Sequence, residues 1–341
     1  MRHQYLERHT GRVREERPFG DRLVRMLYGG LRENSQGLFK AFTSPRFSGL
    51  LGILNYDSLL GARLAGGPQF LRRAGVDLGE CLDDPVSLNT PRKIFERRIG
   101  YWDCRPLEDE PAAVAAPADS RVLLGSFRRQ DSLFLKGKFF SFDELLGPDS
   151  QGWRQALAGG DWAVFRLTPE KYHYNHAPVS GRVLDIYKVD GAHHSCNPSA
   201  VVSMVTPFSK NQRVVTILDT DVPGGSGCGL VAMVEVVALM IGRIEQAYSA
   251  QAYDDPQDII PGLMLQKGQP KSLFRPGSST VVLLFQPGRV AFCPDLLRNQ
   301  VATHVHSRFA RGFGRPLTET EVLVRSTIAR AIKPANLEQV A

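Results

Sequence analysis

The chain has 341 residues, 43 % of them hydrophobic and 23 % charged, with a net charge of +7. That supplies core for one large domain or two modest ones and excludes a disordered or collagen-like chain. The longest apolar run, Cys228 to Gly242, carries Glu235 and spans 15 residues, short for a bilayer helix of about 20; five scattered cysteines without a CxxC pair give neither a zinc knuckle nor a thioredoxin-type site.

The opening stretch MRHQYLERHTGRVREERPFG is too polar for a secretory signal, and an odd number of cysteines suits a reducing, cytosolic setting. Residues 1–60 hold ten Lys/Arg and six Asp/Glu, +4 of the total charge. A basic end is either a solvated surface or a surface for a polyanion, nucleic acid or an anionic membrane. No aromatic-interleaved motif supports nucleic acid. From about 18 to 75 the pattern is helical: Leu23, Met26, Leu27, Leu31 and Leu38 fall at helical spacing, with Arg22, Arg25 and Arg32 between them. Such helices pack on a core or lie in a membrane interface.

EDEPAAVAAPADS, Glu108 to Ser120, reads as a Pro/Ala-rich linker. Beyond it come eight short β-rich runs: RVLLGSF, DSLFLKGKFFSF, DWAVFRL, GRVLDIYKV, QRVVTILDT, GLVAMVEVVALMIGRI, TVVLLF and GRVAF. They predict an α+β protein, with N-terminal helices and a β-rich barrel or sandwich. The β-branched content of 228–244 favours a strand over a buried helix.

Four stretches carry candidate chemistry. In KYHYNHAPVSG, His173 and His176 stand three apart before Pro178; the pair can bind a metal, serve as acid and base, or sit in a wet loop. His193, His194 and Cys196 follow about 20 residues on, which is not a recognised ligand spacing. Asp119 in APADSRVLLGSF either starts a strand through an Asx turn or orients a histidine, as in Ser-His-Asp sites. VPGGSGCGL, Val222 to Leu230, lacks both the GxGxxG spacing and the Lys-Ser/Thr of a phosphate loop and reads as a strand connection. LMLQKGQPKSLF is similar to the hairpins of biotin- and lipoyl-carrier domains in fold only, because Lys267 lacks flanking methionines.

Together with the C-terminal FRPGSSTVVLLF, these motifs resemble the phosphatidylserine decarboxylase family over about residues 95–310. The chain has PADS at Pro117–Ser120, YHYNHAPVSG at Tyr172–Gly181, HSCNPSAV at His194–Val201 and FRPGSST at Phe274–Thr280, in the family's order. It departs at Ser120, where the family has glycine, and at Ser278, where the family has the second glycine of GGST. The resemblance implies a self-processing enzyme. Registering on STVVLLF places the processed serine at Ser279; registering on the first Gly-Ser bond would place it at Ser278.

By the same resemblance, His176 is the base and Asp119 holds its ring. The Ser279 hydroxyl attacks the carbonyl of residue 278, an ester forms, and elimination and hydrolysis leave a pyruvoyl group on a 63-residue small chain (341 − 278). Substrate positioning or proton donation falls to His173, and pocket lining to Ser195 and Asn197; no metal is implied. The implied substrate is phosphatidylserine, with phosphatidylethanolamine and CO2 as products. The implied partners are the two processed chains, an anionic membrane surface on the cytoplasmic face, and a second copy in a homodimer. The expected organisation is a basic helical docking region at 1–95, a linker at 96–116 and a β-rich catalytic domain at 117–330, cut between 278 and 279. The rival readings are a pyruvoyl-dependent decarboxylase of a soluble amino acid and a non-enzymatic membrane-binding protein on the same scaffold.

Overall fold

Runs of Val, Ile, Leu and Phe between Gly-rich turns become strands, and most of them join one sheet. In the computed structural model, residues 3–16, 28, 37, 43–44, 76–127, 141–204, 207–238, 243–276 and 279–332 are described. In chain order the strands are β1 (His3–Glu7), β2 (Val13–Glu16), β3 (Ala113–Ala115), β4 (Ser120–Ser126), β5 (Asp161–Leu167), β6 (Tyr174–His176), β7 (Gly181–Val189) and β8 (Arg213–Asp219). They continue with β9 (Leu230–Val237), β10 (Ile244–Gln246), β11 (Met264–Leu265), β12 (Pro270–Phe274), β13 (Ser279–Phe285), β14 (Val290–Phe292), β15 (Thr320–Val322) and β16 (Thr327–Ala331).

The main sheet runs β11-β7-β8-β9-β13-β5-β4-β15-β1-β2. Its pairs are antiparallel except β1 with β15. The sheets β10-β12-β6 and β14-β16-β3 stand apart from it in hydrogen bonding. Val281, Leu283 and Phe285 share one core with Phe274 and with Val114 and Ile328 of these small sheets. Val282 and Leu284 point the other way, into a core with Phe142, Leu145, Val201, Phe208 and Phe309 from helices. The main sheet is therefore the middle of three layers. A strand covered on both faces needs no polar alternation, so β13 reads STVVLLF and every residue of it is buried.

The α+β expectation with a sandwich-like β region stands. The sheet is open, with β11 and β2 at its edges, so the barrel alternative does not. The segment read as a linker is also different: Ala113, Val114, Ala115 and Ala116 are buried, and β3 pairs with β16. Alanine lets a strand approach closely, which composition alone confuses with flexibility. The helical pattern at 18–75 lies almost entirely outside the described residues, as does 131–140 of DSLFLKGKFFSF.

Residues 3–16, placed by sequence in a helical region, form a hairpin that extends the main sheet. Buried charges pin it. His3 Nε2 lies 2.8 Å from Glu319 Oε2, and Arg166 Nη2 lies 2.6 Å from both Glu16 Oε2 and Glu319 Oε2. Arg121 also pairs with Glu16. His3, Glu16 and Glu319 have metal-ligand proximity, but the two guanidinium groups already neutralise the carboxylates.

Gly160 leads into β5 with its α-carbon against the Phe285 carbonyl, leaving no room for a Cβ. Gly160→Ala is expected to destabilise the fold by about 1–3 kcal/mol, read as a lower urea midpoint at unchanged slope.

Candidate active site

Ser279 opens the central strand of the middle layer. It is 1 % exposed, opposite Leu167 on β5 and Val237 on β9. Alternation along β13 puts its side chain on the face of Val281 and Leu283, toward the small sheets. Thr280 faces the helices, and its hydroxyl donates to Cys196 Sγ at 3.0 Å. Burial pushes the Cys196 thiol up to about 11. Gly277 and Ser278 lie outside the described residues, so the alternative cleavage site at Ser278 does too.

Three of the four motifs meet on the Ser279 side of the sheet. β6 carries His176 and pairs with β12, the strand that leads toward Ser279. The Phe274 amide donates to the His173 carbonyl at 3.1 Å, and the His176 amide to the Pro117 carbonyl at 2.8 Å. The Ala115 amide donates to the Pro178 carbonyl at 2.8 Å. PADS, HxxHxP and the strand that precedes Ser279 are thus stitched together through backbone.

Both histidines are fully buried. His176 Nδ1 is 2.8 Å from the Gly268 carbonyl. Only a protonated Nδ1 can bond there, so Nε2 is the basic nitrogen, 3.0 Å from the Tyr172 hydroxyl. Burial lowers the His176 pKa to about 3, against the opposing Gly268 bond. The His173 ring stacks on Phe95 with centroids 3.4 Å apart, and among the described residues neither of its nitrogens meets a hydrogen-bond partner. Burial, and then the Arg97 charge, hold His173 well below its ordinary value. Both rings are neutral at pH 7.

Asp119 is placed differently from the triad pattern. Arg105 grips its carboxylate, Nε to Oδ1 at 3.0 Å and Nη2 to Oδ2 at 2.9 Å, and the Val324 amide donates to Oδ1 at 2.8 Å. Burial pushes the carboxyl up, but the Arg105 charge outweighs it and the net shift is downward. The expected bond from Asp119 to the His176 ring is not made in this structure; Gly268 and Tyr172 hold that ring. Among the described residues, Ser279 Oγ makes no hydrogen bond to either histidine.

Ser195 and Asn197 sit in the helix layer, next to Cys196. Asn197 Oδ1 caps the helix Pro198–Ser203 by accepting from the Ser199 amide at 2.8 Å. Ser195 Oγ accepts from the Asn197 amide at 3.2 Å. His193 binds Gln212 at 3.2 Å. Among the described residues, none of these gathers with His173 or His176 as a metal site.

Sequence reasoning missed Arg105, Gly268 and Tyr172 as holders of the site. Gly268 sits at φ +80°, a conformation that favours glycine, and the KGQ turn was the one available signal. Lys267 bends back onto the Glu108 and Glu110 carbonyls. Arg105 bonds partners both 14 and 25 residues away, a contact no local pattern encodes. Arg105→Ala strands the buried Asp119 charge and is expected to destabilise by about 3–5 kcal/mol. A thermal melt checks this, and the loss should shrink in Arg105→Ala/Asp119→Asn.

Residues 93–311 match the family model described as phosphatidylserine decarboxylase. The chain is 35 % identical over 235 residues to the phosphatidylserine decarboxylase proenzyme of Bordetella petrii, covering 65 % of this chain and 78 % of that protein. It is 33 % identical over 232 residues to the proenzyme of Azotobacter vinelandii, with 65 % and 78 % covered. Against phosphatidylserine decarboxylase proenzyme 3 of Schizosaccharomyces pombe it is 30 % identical over 298 residues, 86 % of this chain but 28 % of that one.

Proposed function

The chain belongs to the phosphatidylserine decarboxylase family, and we propose that it cuts itself before Ser279 and then decarboxylates phosphatidylserine to phosphatidylethanolamine. The observation that carries the reading is the convergence of PADS and HxxHxP on the strand that leads to a buried Ser279.

Serine is a weak nucleophile until a base takes its proton. His176 suits that role because its ring is neutral at pH 7 and its tautomer is fixed by Gly268. Proton transfer from the hydroxyl, attack on the carbonyl of residue 278 and rupture of the C–N bond give an ester. Loss of the Ser279 α-proton then expels the upstream carboxylate and leaves dehydroalanine, which hydrolyses to pyruvoyl with release of ammonia. The dry, closely packed surroundings of position 279 fit a small uncharged keto group. When formed, that group supplies an electron sink for the pair released as CO2 leaves. His173, buried and with both ring nitrogens unpaired among the described residues, is the candidate for orienting the headgroup or returning a proton. Ser195 and Asn197, one strand-face away, are candidates for the rim of the pocket.

Intact mass under denaturing conditions tests the cleavage. A fragment of residues 279–341 with a pyruvoyl N-terminus is expected; one residue more moves the site to Ser278. A single uncut chain would favour the scaffold reading instead.

No helix among the described residues is long and apolar enough to cross a membrane. Access to a lipid headgroup is proposed to come from the basic 18–75 region, docking the catalytic domain on an anionic leaflet at the cytoplasmic face. Arg22→Gln/Arg25→Gln/Arg32→Gln is expected to weaken sedimentation with phosphatidylserine-containing vesicles, by about 1 kcal/mol per arginine at the surface. Unchanged sedimentation would remove these residues from docking. A homodimer is carried from the family and is testable by light scattering.

A further inference from the structure

Between the main sheet and the β10-β12-β6 sheet lies an ion pair that the chemistry above does not use. Glu235 on β9 and Lys271 on β12 are both fully buried, Nζ 2.8 Å from Oε2. Four donors converge on the carboxylate: Lys271, Gln246 Nε2 at 3.1 Å, Asn175 Nδ2 at 3.3 Å and the Ser272 hydroxyl. Lys271 gives a second hydrogen to Gln246 Oε1 at 2.8 Å. Among the described residues two capacities remain. The third ammonium hydrogen has no acceptor, and Asn175 Oδ1 is buried without a partner.

Stability does not account for this cluster. A buried ion pair is commonly no better than apolar residues of the same volume. Backbone geometry points to a use: β12 takes two steps from Pro270 to Ser272 where β6 takes one. Lys271 is the extra residue of a bulge, a device that re-aims side chains and recurs beside active sites.

Register places the cluster beside the reacting serine. Ser279 lies opposite Val237, and Val281 opposite Glu235. Val281 and Met233 face the small sheets, so Ser279 and Glu235 share that face by alternation. Diagonal neighbours of this kind are about 7–8 Å apart, within reach of long side chains.

We propose that Glu235 and Lys271 are a positioning pair for self-cleavage at Ser279. The proposal rests on the self-cleaving reading above. The four-donor carboxylate fixes the ammonium, whose spare hydrogen and the spare Asn175 acceptor face the layer that the Ser279 side chain enters. As Oγ bonds to the carbonyl carbon, the carbonyl π-electrons move onto oxygen; they return as the C–N bond breaks, its electron pair and a proton going to nitrogen. Lys271 keeps its proton throughout, and its fixed charge favours the transient oxyanion.

The test is Glu235→Leu/Lys271→Met, synthesised cell-free and followed by gel and intact mass. The expected result is cleavage slowed about 10- to 100-fold in a folded protein with a lowered melting temperature, because Gln246, Asn175 and Ser272 lose their buried acceptor. Lys271→Arg, which keeps the charge, is expected to cleave faster than the double variant. Cleavage of the double variant at the natural rate would overturn the proposal. If the double variant does not fold, Lys271→Gln carries the comparison, and natural-rate cleavage in that folded protein overturns it equally. An uncut natural chain would instead defeat the self-cleaving reading, and this proposal with it.

Discussion

Ser279→Ala is expected to yield a single uncut chain with decarboxylase activity at background. On the proposed mechanism the substitution removes the nucleophile of the acyl shift, so no ester, no dehydroalanine and no keto group would form. The effect is all-or-none because the nucleophile is also the precursor of the reactive group. Fold loss will not explain it. Among the described residues Ser279 Oγ makes no hydrogen bond, and the residue is held by β5 and β9 through backbone, so the melting temperature should stay close to that of the natural chain. Ser278→Ala is the companion. Cleavage that survives Ser278→Ala and fails in Ser279→Ala fixes the bond; the reverse pattern moves the site by one residue.

Acid provides the second large effect. A base with the ordinary histidine pKa of about 6.5 would lose half its cleavage rate there. With His176 lowered to about 3 by burial, the rate should run flat from pH 8 through pH 5 and fall only as pH nears 3, if the fold survives. A midpoint near 6.5 would show that the base is some other, exposed histidine. The same burial makes the fold acid-labile. The unfolded chain binds a proton at each histidine below about 6.5, while folded His173 and His176 resist it. The unfolded state therefore binds more protons, and stability falls as pH drops from about 6.5 toward 3. For His176 alone the loss approaches about 5 kcal/mol over that window. Urea midpoints at pH 7, 5.5 and 4.5 should decrease in that order, and His173→Phe, stacked on Phe95 in place of the imidazole, should flatten part of the slope.

Much of the fold was legible in order of appearance. GRVLDIYKV, QRVVTILDT and GLVAMVEVV became β7, β8 and β9 in a meander, and the glycines of VPGGSGCGL make the connection between the last two, with Gly224, Gly227 and Gly229 at positive φ. The candidate site was legible only as residue types in sequence order, PADS, YHYNHAPVSG and FRPGSST. The partners of those residues were not. Asp119 looked like the orienter of His176 because both belong to a familiar chemical set, yet Arg105 takes the carboxylate. EDEPAAVAAPADS looked like a linker because alanine and proline carry no pattern of burial.

What the sequence by itself determined about this protein is its chemistry-bearing motifs, its family, and the strands that hold them, since strand propensity and turn residues act locally. Only the tertiary structure decided which way Ser279 faces. β13 is buried on both sides, so its sequence has no polar alternation to reveal a face, and the cores packed above and below settle the direction. It also decided that residues 3–16 belong to the main sheet and that Glu235 meets Lys271. Those pairings join residues far apart along the chain, and what enforces them, the cost of leaving a buried charge without its partner, exists only once the layers have closed.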